Sequence, residues 1–237
     1  MGRLFDLLEK DVRYQEGMNA CINCGTCTAI CPAASFYKYD PRQIVDTLQN
    51  RDENDLLALL KGEEIWYCGE CMSCKTRCPR SNTPGLVIVA LRSLSQDLGY
   101  FTESEKGRQQ IAIKRTVGKW LWNYGYCVYP RELETKFHPE QGPTFAWVLD
   151  NVDPVFQRLG ANIDQDGPGI LRKIPKESMD ELHRIFDVTG ATERFEVIER
   201  ESKKKAEEMG MDLSGDGLDN DYCRHVFSTN NNTHTQE

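Results

Sequence analysis

The sequence predicts a mainly α-helical chain, with a domain built around two cysteine-rich loops and a helical C-terminal extension. Three observations carry that prediction. Eight of the ten cysteines in the 237 residues fall into two copies of one pattern. Apolar residues recur at helical spacing along most of the chain. No convincing alternating strand pattern occurs in the first 100 residues.

The first copy is Cys21-x-x-Cys24-x-x-Cys27-x-x-x-Cys31-Pro32. The second is Cys68-x-x-Cys71-x-x-Cys74-x-x-x-Cys78-Pro79. This is the bacterial-type iron–sulfur run, in which three close cysteines ligate one cluster and the fourth ligates the other. The rule assigns Cys21, Cys24, Cys27 and Cys78 to one [4Fe–4S] cluster, and Cys68, Cys71, Cys74 and Cys31 to a second. Three thiolates two residues apart can wrap three corners of a cube from one loop. The fourth must come from another direction. Pro32 and Pro79 end each loop and remove an amide donor. Gly25 and Gly69 let the backbone approach the sulfurs. Structural zinc is the alternative for paired CxxC units, but zinc needs only four ligands per site. Disulfides do not suit a chain without a secretory signal.

The elements between and after the motifs read as helices. Residues 4–16 fit one helix with Phe5, Leu8 and Val12 inward. Asp40-Pro41 reads as an N-cap and first helical residue, with Ile44, Val45 and Leu48 as an apolar stripe. Asn54 or Asp55 is the expected cap of the next helix, with Leu56, Leu59 and Leu60 on one face and Gly62 past its end. Thr83-Pro84 starts a third, carrying Val87, Leu91, Leu94 and Leu98. In the extension, Ile111, Lys114, Val117 and Leu121 share a face beside Trp120 and Trp122. Pro143–Leu159 is apolar and helical, with Pro154 as the expected break. Met179, Leu182 and Phe186 form a stripe that stops near Gly190, and 192–209 is a charged helix ending at Gly210. The expected division is 1–100 for the two-cluster domain, 101–227 for an extension that docks a partner subunit, and 228–237 for a disordered tail.

Composition narrows the function. The net charge of −8 argues against a nucleic-acid partner. No stretch approaches the roughly 20 apolar residues of a membrane span. The N-terminus is too charged for a secretory segment, so a cytoplasmic location is expected. Cys127 and Cys223 read as plain thiols, and no two histidines have metal-ligand spacing. Asp212, Ser214, Asp216, Gly217 and Asn220 mimic a calcium loop, but Cys223 stands where a carboxylate is required. Lys75, Arg77 and Arg80 flank the second motif. They either raise the potential of its cluster or face water and partners.

The eight cysteines, Tyr39-Asp40-Pro41-Arg42 and Trp66-Tyr67-Cys68-Gly69-Glu70-Cys71 resemble the α-helical ferredoxin domain. The resemblance is to the C-type subunits of heterodisulfide reductase and their relatives, over roughly residues 15–100. It implies a non-catalytic relay subunit of an oxidoreductase complex. Electrons would pass between an A-type flavin and Fe–S subunit and a B-type subunit with CCG domains. This chain has no adjacent cysteine pair, so the substrate-cleaving centre is expected elsewhere. The long extension points toward the heterodisulfide-reductase-like complexes of sulfur-oxidising prokaryotes. A free-standing two-cluster electron carrier of the ferredoxin kind is the other reading.

Overall fold

The computed structural model describes residues 3–138 and 141–228. The chain divides into two units, Met1–Arg108 and Gln109–Glu237. Among the described residues the only strand-like pairing is a bridge between Ala161 and Ile170.

The first unit opens with two short helices, α1 (Arg3–Leu8) and α2 (Val12–Gly17), where the periodicity suggested one. Asp11 causes the break. Its carboxylate accepts from the Arg13 amide at 2.8 Å and caps a new helix. The break resets the helical phase, so Val12 is 59% exposed and Tyr14 is buried in its place. A single turn, α3 (Thr26–Ala29), lies within the first cysteine motif. Helix α4 (Pro41–Gln49) starts as expected, Asp40 accepting from the Arg42 and Gln43 amides at 2.9 and 3.2 Å. Helix α5 (Glu53–Lys61) starts earlier than expected, capped by Asp52 rather than Asn54 or Asp55. Glu53 then reaches across to accept from the Leu4 and Phe5 amides at the start of α1, each at 3.1 Å.

Helix α6 (Pro84–Asp97) is the spine of this unit. It buries Val87, Ile88 and Leu91 completely against Leu48, Leu56, Leu60 and Ile65. Each such side chain contributes about 1.5–3 kcal/mol relative to exposure. Where α2 crosses α6 the approach at Gly17 is tight. A Cβ on Gly17 would lie 3.0 Å from the Thr83 carbonyl and from Val87. Helix α7 (Glu105–Arg108) closes the unit.

In the second unit, α8 (Gln110–Ile113), a π-helical turn over Lys114–Gly118 and α9 (Lys119–Tyr124) follow without a break. The buried positions are Ile111, Ala112, Arg115, Gly118 and Trp120, so the expected face of Ile111, Lys114, Val117 and Leu121 is buried only at Ile111. A charge defeats the apolar pattern here. Arg115 is only 4% exposed, and it pairs with Glu199 and donates to the Gly217 carbonyl at 2.7 Å. Helices α10 (Gly142–Asp150) and α11 (Val152–Arg158) divide at Asn151 rather than Pro154. Pro154 sits in the first turn of α11, where its missing donor is tolerated. Helices α12 (Lys176–Val188), α13 (Ala191–Glu208) and α14 (Asp221–Ser228) complete the unit. The expected stops at Gly190 and Gly210 are left-handed, with φ of 75° and 68°. Residues 229–237 of the expected tail, with His234, lie outside the described residues. Among the described residues no helix is long and apolar enough to cross a membrane.

Candidate metal centres

The eight motif cysteines line two hollows in the first unit. Cys21, Cys24, Cys27 and Cys78 border one. Cys68, Cys71, Cys74 and Cys31 border the other. None of the eight is in a disulfide. Each hollow therefore has three sulfurs from one motif and the fourth from the other. Zinc would draw four thiolates to about 2.3 Å from one centre. A cube with iron at its corners instead needs thiolates spread around a volume.

The hollows share one backbone design. Asn23 and Gly25 in the first loop have φ of 59° and 77°. Glu70 and Met72, at the same places in the second, have φ of 55° and 56°. The left-handed residues turn each loop inward, so that amides meet sulfur. Asn23 N donates to Cys21 Sγ at 3.3 Å, and Glu70 N to Cys68 Sγ at 3.4 Å. The Thr26 hydroxyl lies 3.3 Å from Cys24 Sγ, and Ser73 Oγ lies 3.4 Å from Cys71 Sγ. These hydroxyls lower the pKa of Cys24 and Cys71, favouring thiolate, whereas burial pushes Cys27 and Cys74 up. Gly25 suits its left-handed φ of 77°, but an added Cβ there meets no protein atom within 4 Å, so close approach is not what requires it. An added Cβ on Gly69 likewise meets no protein atom within 4 Å.

The correspondence continues into the helices. Asp40-Pro41 opens α4 and Thr83-Pro84 opens α6. Pro41, Arg42 and Val45 thereby match Pro84, Gly85 and Ile88, and all six border the hollows. Farther along, Gln49 and Arg92 occupy matching places, each eight residues beyond its proline. Gln49 Oε1 accepts from the Cys21 amide at 2.6 Å. Arg92 donates to the Cys68 carbonyl and to the Ile65 carbonyl, each at 2.6 Å, and pairs with Glu70. Each helix thus fastens the first cysteine of one loop. Sequence reading missed these clamps. Aligning the two prolines would have found them.

Charge does not follow the correspondence. Arg42 and Arg80 border the first hollow, and Gly85 and Ala33 stand at those places in the second. Arg80 follows Cys78, the cysteine that crosses over, so it travels to the first hollow rather than the second. Its Nε donates to the Ala20 carbonyl at 3.3 Å. Lys75 and Arg77 are exposed and border neither hollow. Of the remaining cysteines, Cys223 is buried and Cys127 exposed.

Helical packing, crossed thiols and repeated inward-turned loops define an α-helical dicluster iron–sulfur protein. A profile for the 4Fe-4S dicluster domain matches residues 17–82. The chain is 29% identical over 204 residues to the C-type subunit of the ferredoxin:CoB-CoM heterodisulfide reductase of Methanosarcina acetivorans, covering 85% of this chain and 75% of the relative. It is 34% identical over 129 residues to the C-type subunit of the ferredoxin/F(420)H(2)-dependent CoB-CoM heterodisulfide reductase of the same organism, covering 53% and 71%. The C-type iron-sulfur subunit of the CoB-CoM heterodisulfide reductase of Methanopyrus kandleri is 31% identical over 113 residues, covering 47% and 57%. The chain belongs to the family of C-type heterodisulfide reductase subunits and is an electron-transfer iron–sulfur subunit with two [4Fe–4S] clusters. The 204-residue match is longer than the first unit and reaches into the second, so the extension does not by itself set this chain apart from methanogen subunits.

Proposed function

We propose that the chain relays electrons, in the cytoplasm, between an A-type flavin and Fe–S subunit and a B-type CCG-domain subunit that acts on sulfur. In this reading Cys21, Cys24, Cys27 and Cys78 hold one cluster, and Cys68, Cys71, Cys74 and Cys31 hold the other. The crossed grouping of thiols around two hollows is the observation that carries it. When bound, each cluster takes up and returns one electron while its ligands stay fixed. The chain's own residues keep the two sites near each other. Cys27 borders one hollow and Cys31 the other, and four residues span at most about 14 Å. The amide and hydroxyl contacts to sulfur favour the thiolate form that binds iron.

The second unit supplies the docking surface in this reading. A groove of about 770 Å³ has Trp122 and Phe195 among its walls, with Lys114, Arg115, Lys119, Arg200 and Lys203 set against Glu196, Glu199 and Asp216 at its border. Cations outnumber carboxylates at this border although several are paired within the chain, and on a chain of net charge −8 that surplus suits an acidic, partly apolar segment of a partner subunit. Affinity purification of tagged chain from its native cells tests the proposal. Retention of flavin- and CCG-bearing subunits, weakened by Lys119→Glu with Lys203→Glu, is expected. A loaded monomer that keeps neither partner and passes electrons to unrelated proteins would establish a free carrier instead.

A further inference from the structure

Matching the two halves at their prolines pairs Tyr39 with Asn82, each two residues before the proline that opens its helix. Both are nearly inaccessible, at 5% and 2% exposure. Tyr39 borders the second hollow and Asn82 the first. Among the described residues, the buried Asn82 Nδ2 has no hydrogen-bond partner, and the buried Tyr39 hydroxyl has no well-formed one, with only the Cys68 sulfur beside it. A buried donor left unsatisfied costs about 1–3 kcal/mol, so two at matching places call for a common reason.

The surroundings of each donor indicate what it serves. Asn82 Oδ1 accepts from the Asn19 amide at 2.6 Å. A backbone amide can only donate, so the atom facing it is the oxygen, and Nδ2 is the branch left over. The Asn82 amide itself donates to Cys78 Sγ at 3.3 Å, which sets the residue beside a sulfur of the first hollow. The Tyr39 hydroxyl lies beside the Cys68 sulfur of the second hollow, and a phenol is protonated at neutral pH and so is a donor. The ring packs edge-on to Tyr67 at 6.2 Å, which restricts where the hydroxyl can turn.

We propose that Tyr39 and Asn82 are a matched pair of potential-setting residues, each donating a hydrogen bond to sulfur of the cluster in the hollow it borders. The inference rests on the two-cluster reading above. A donor aimed at sulfur stabilises the reduced cluster, which carries one more negative charge, and so raises its potential. No proton changes owner. Tyrosine offers one hydrogen and asparagine two, so the halves share a device and differ in its strength.

The test is a redox titration of anaerobically purified full-length chain, followed by EPR, with iron and sulfide counted for each variant. Tyr39→Phe removes only the hydroxyl. It is expected to keep full iron, lower one midpoint, leave the other in place, and lose one exchangeable deuteron coupling in pulsed EPR. Asn82→Leu is expected to lower the other midpoint. Replacing Tyr39 by fluorotyrosine, a stronger donor of similar size, should move its midpoint upward, which covers the case where the phenylalanine variant loads poorly. Fully loaded Tyr39→Phe protein with both midpoints unchanged, or two variants that move the same midpoint, would overturn the pairing. Iron missing from the parent chain as well would remove the two-cluster reading itself.

Discussion

The two hollows match wall by wall in backbone, yet their surroundings differ. The first is bordered by Arg42 and Arg80, the second by Gly85 and Ala33 at the same places. Arg42 is paired with Asp40, so Arg80 is the charge that tells most strongly. A cluster becomes more negative on reduction, and positive charge at its wall favours that form. The first hollow is therefore expected to hold the higher-potential cluster, giving the relay an internal downhill direction. The comparison teaches that a repeated loop can fix cluster type while the unrepeated side chains fix energy.

What the hollows share should fail together, and this is the largest effect. Leu91 is wholly buried on α6, the helix that borders both. Leu91→Ala is expected to destabilise the chain by about 2–5 kcal/mol. Heating it while following visible absorbance should show both clusters lost in one step. Loss of one cluster before the other would mean that the hollows are supported separately.

The helix starts should differ in acid. Burial opposes ionisation of Asp40, but hydrogen bonds from Thr28 and Arg42 hold its carboxyl below the ordinary 3.8. A depressed carboxylate pKa stabilises the fold above the unfolded value, and that contribution disappears as pH falls through the lower folded value. Thr83, at the start of α6, makes no such side-chain bond. Amide exchange at Arg42 and Gln43 should therefore accelerate below about pH 4, with Leu86 and Val87 unaffected. Asp40→Asn, which can still cap, should remove that pH dependence. Asp40→Ala should cost about 0.5–2 kcal/mol at neutral pH.

Charge exchange sharpens the contrast further. Arg80→Gln is expected to lower only the first cluster's midpoint, by tens of millivolts at low salt, and Ala33→Arg to raise only the second's. EPR-monitored titration reads both. Equal shifts in the two clusters would show that general field, not local placement, sets the potentials. The smallest effects belong to the left-handed positions. Gly25→Ala should cost about 1 kcal/mol, because φ there is 77°. Met72→Gly should relieve a similar strain in the other loop, partly offset by its lost contact over Gly85. Thermal denaturation of the loaded chains measures both.

Much of this was legible in the sequence. Cysteine spacing is a direct record of ligand chemistry, and Asp40-Pro41 and Thr83-Pro84 marked helix starts because cap and proline act locally. The missed features depend on longer range or on charge. Asp11 starts a helix within an otherwise continuous apolar pattern, and Asp52 caps its helix just before the expected Asn54 or Asp55, in a run of possible caps that apolar periodicity does not separate. Arg115 is buried only because Glu199, 84 residues away, pairs with it. The likeness of the two hollows was obscured by spacing. The cysteines repeat at 47 residues, but the prolines at 43, since the stretch between Cys78 and Pro84 is four residues shorter than its counterpart. Tyr39 and Asn82 consequently had no visible relation until both appeared beside sulfur.

Iron counts on paired cysteine variants test the crossed arrangement most directly. The parent, with two clusters of four irons, supplies the reference. Cys24→Ala combined with Cys78→Ala should remove one cluster and keep four irons per chain, while Cys71→Ala combined with Cys78→Ala should remove both. The reverse result, four irons kept by the second pair and none by the first, would contradict the crossed arrangement and assign each motif its own cluster.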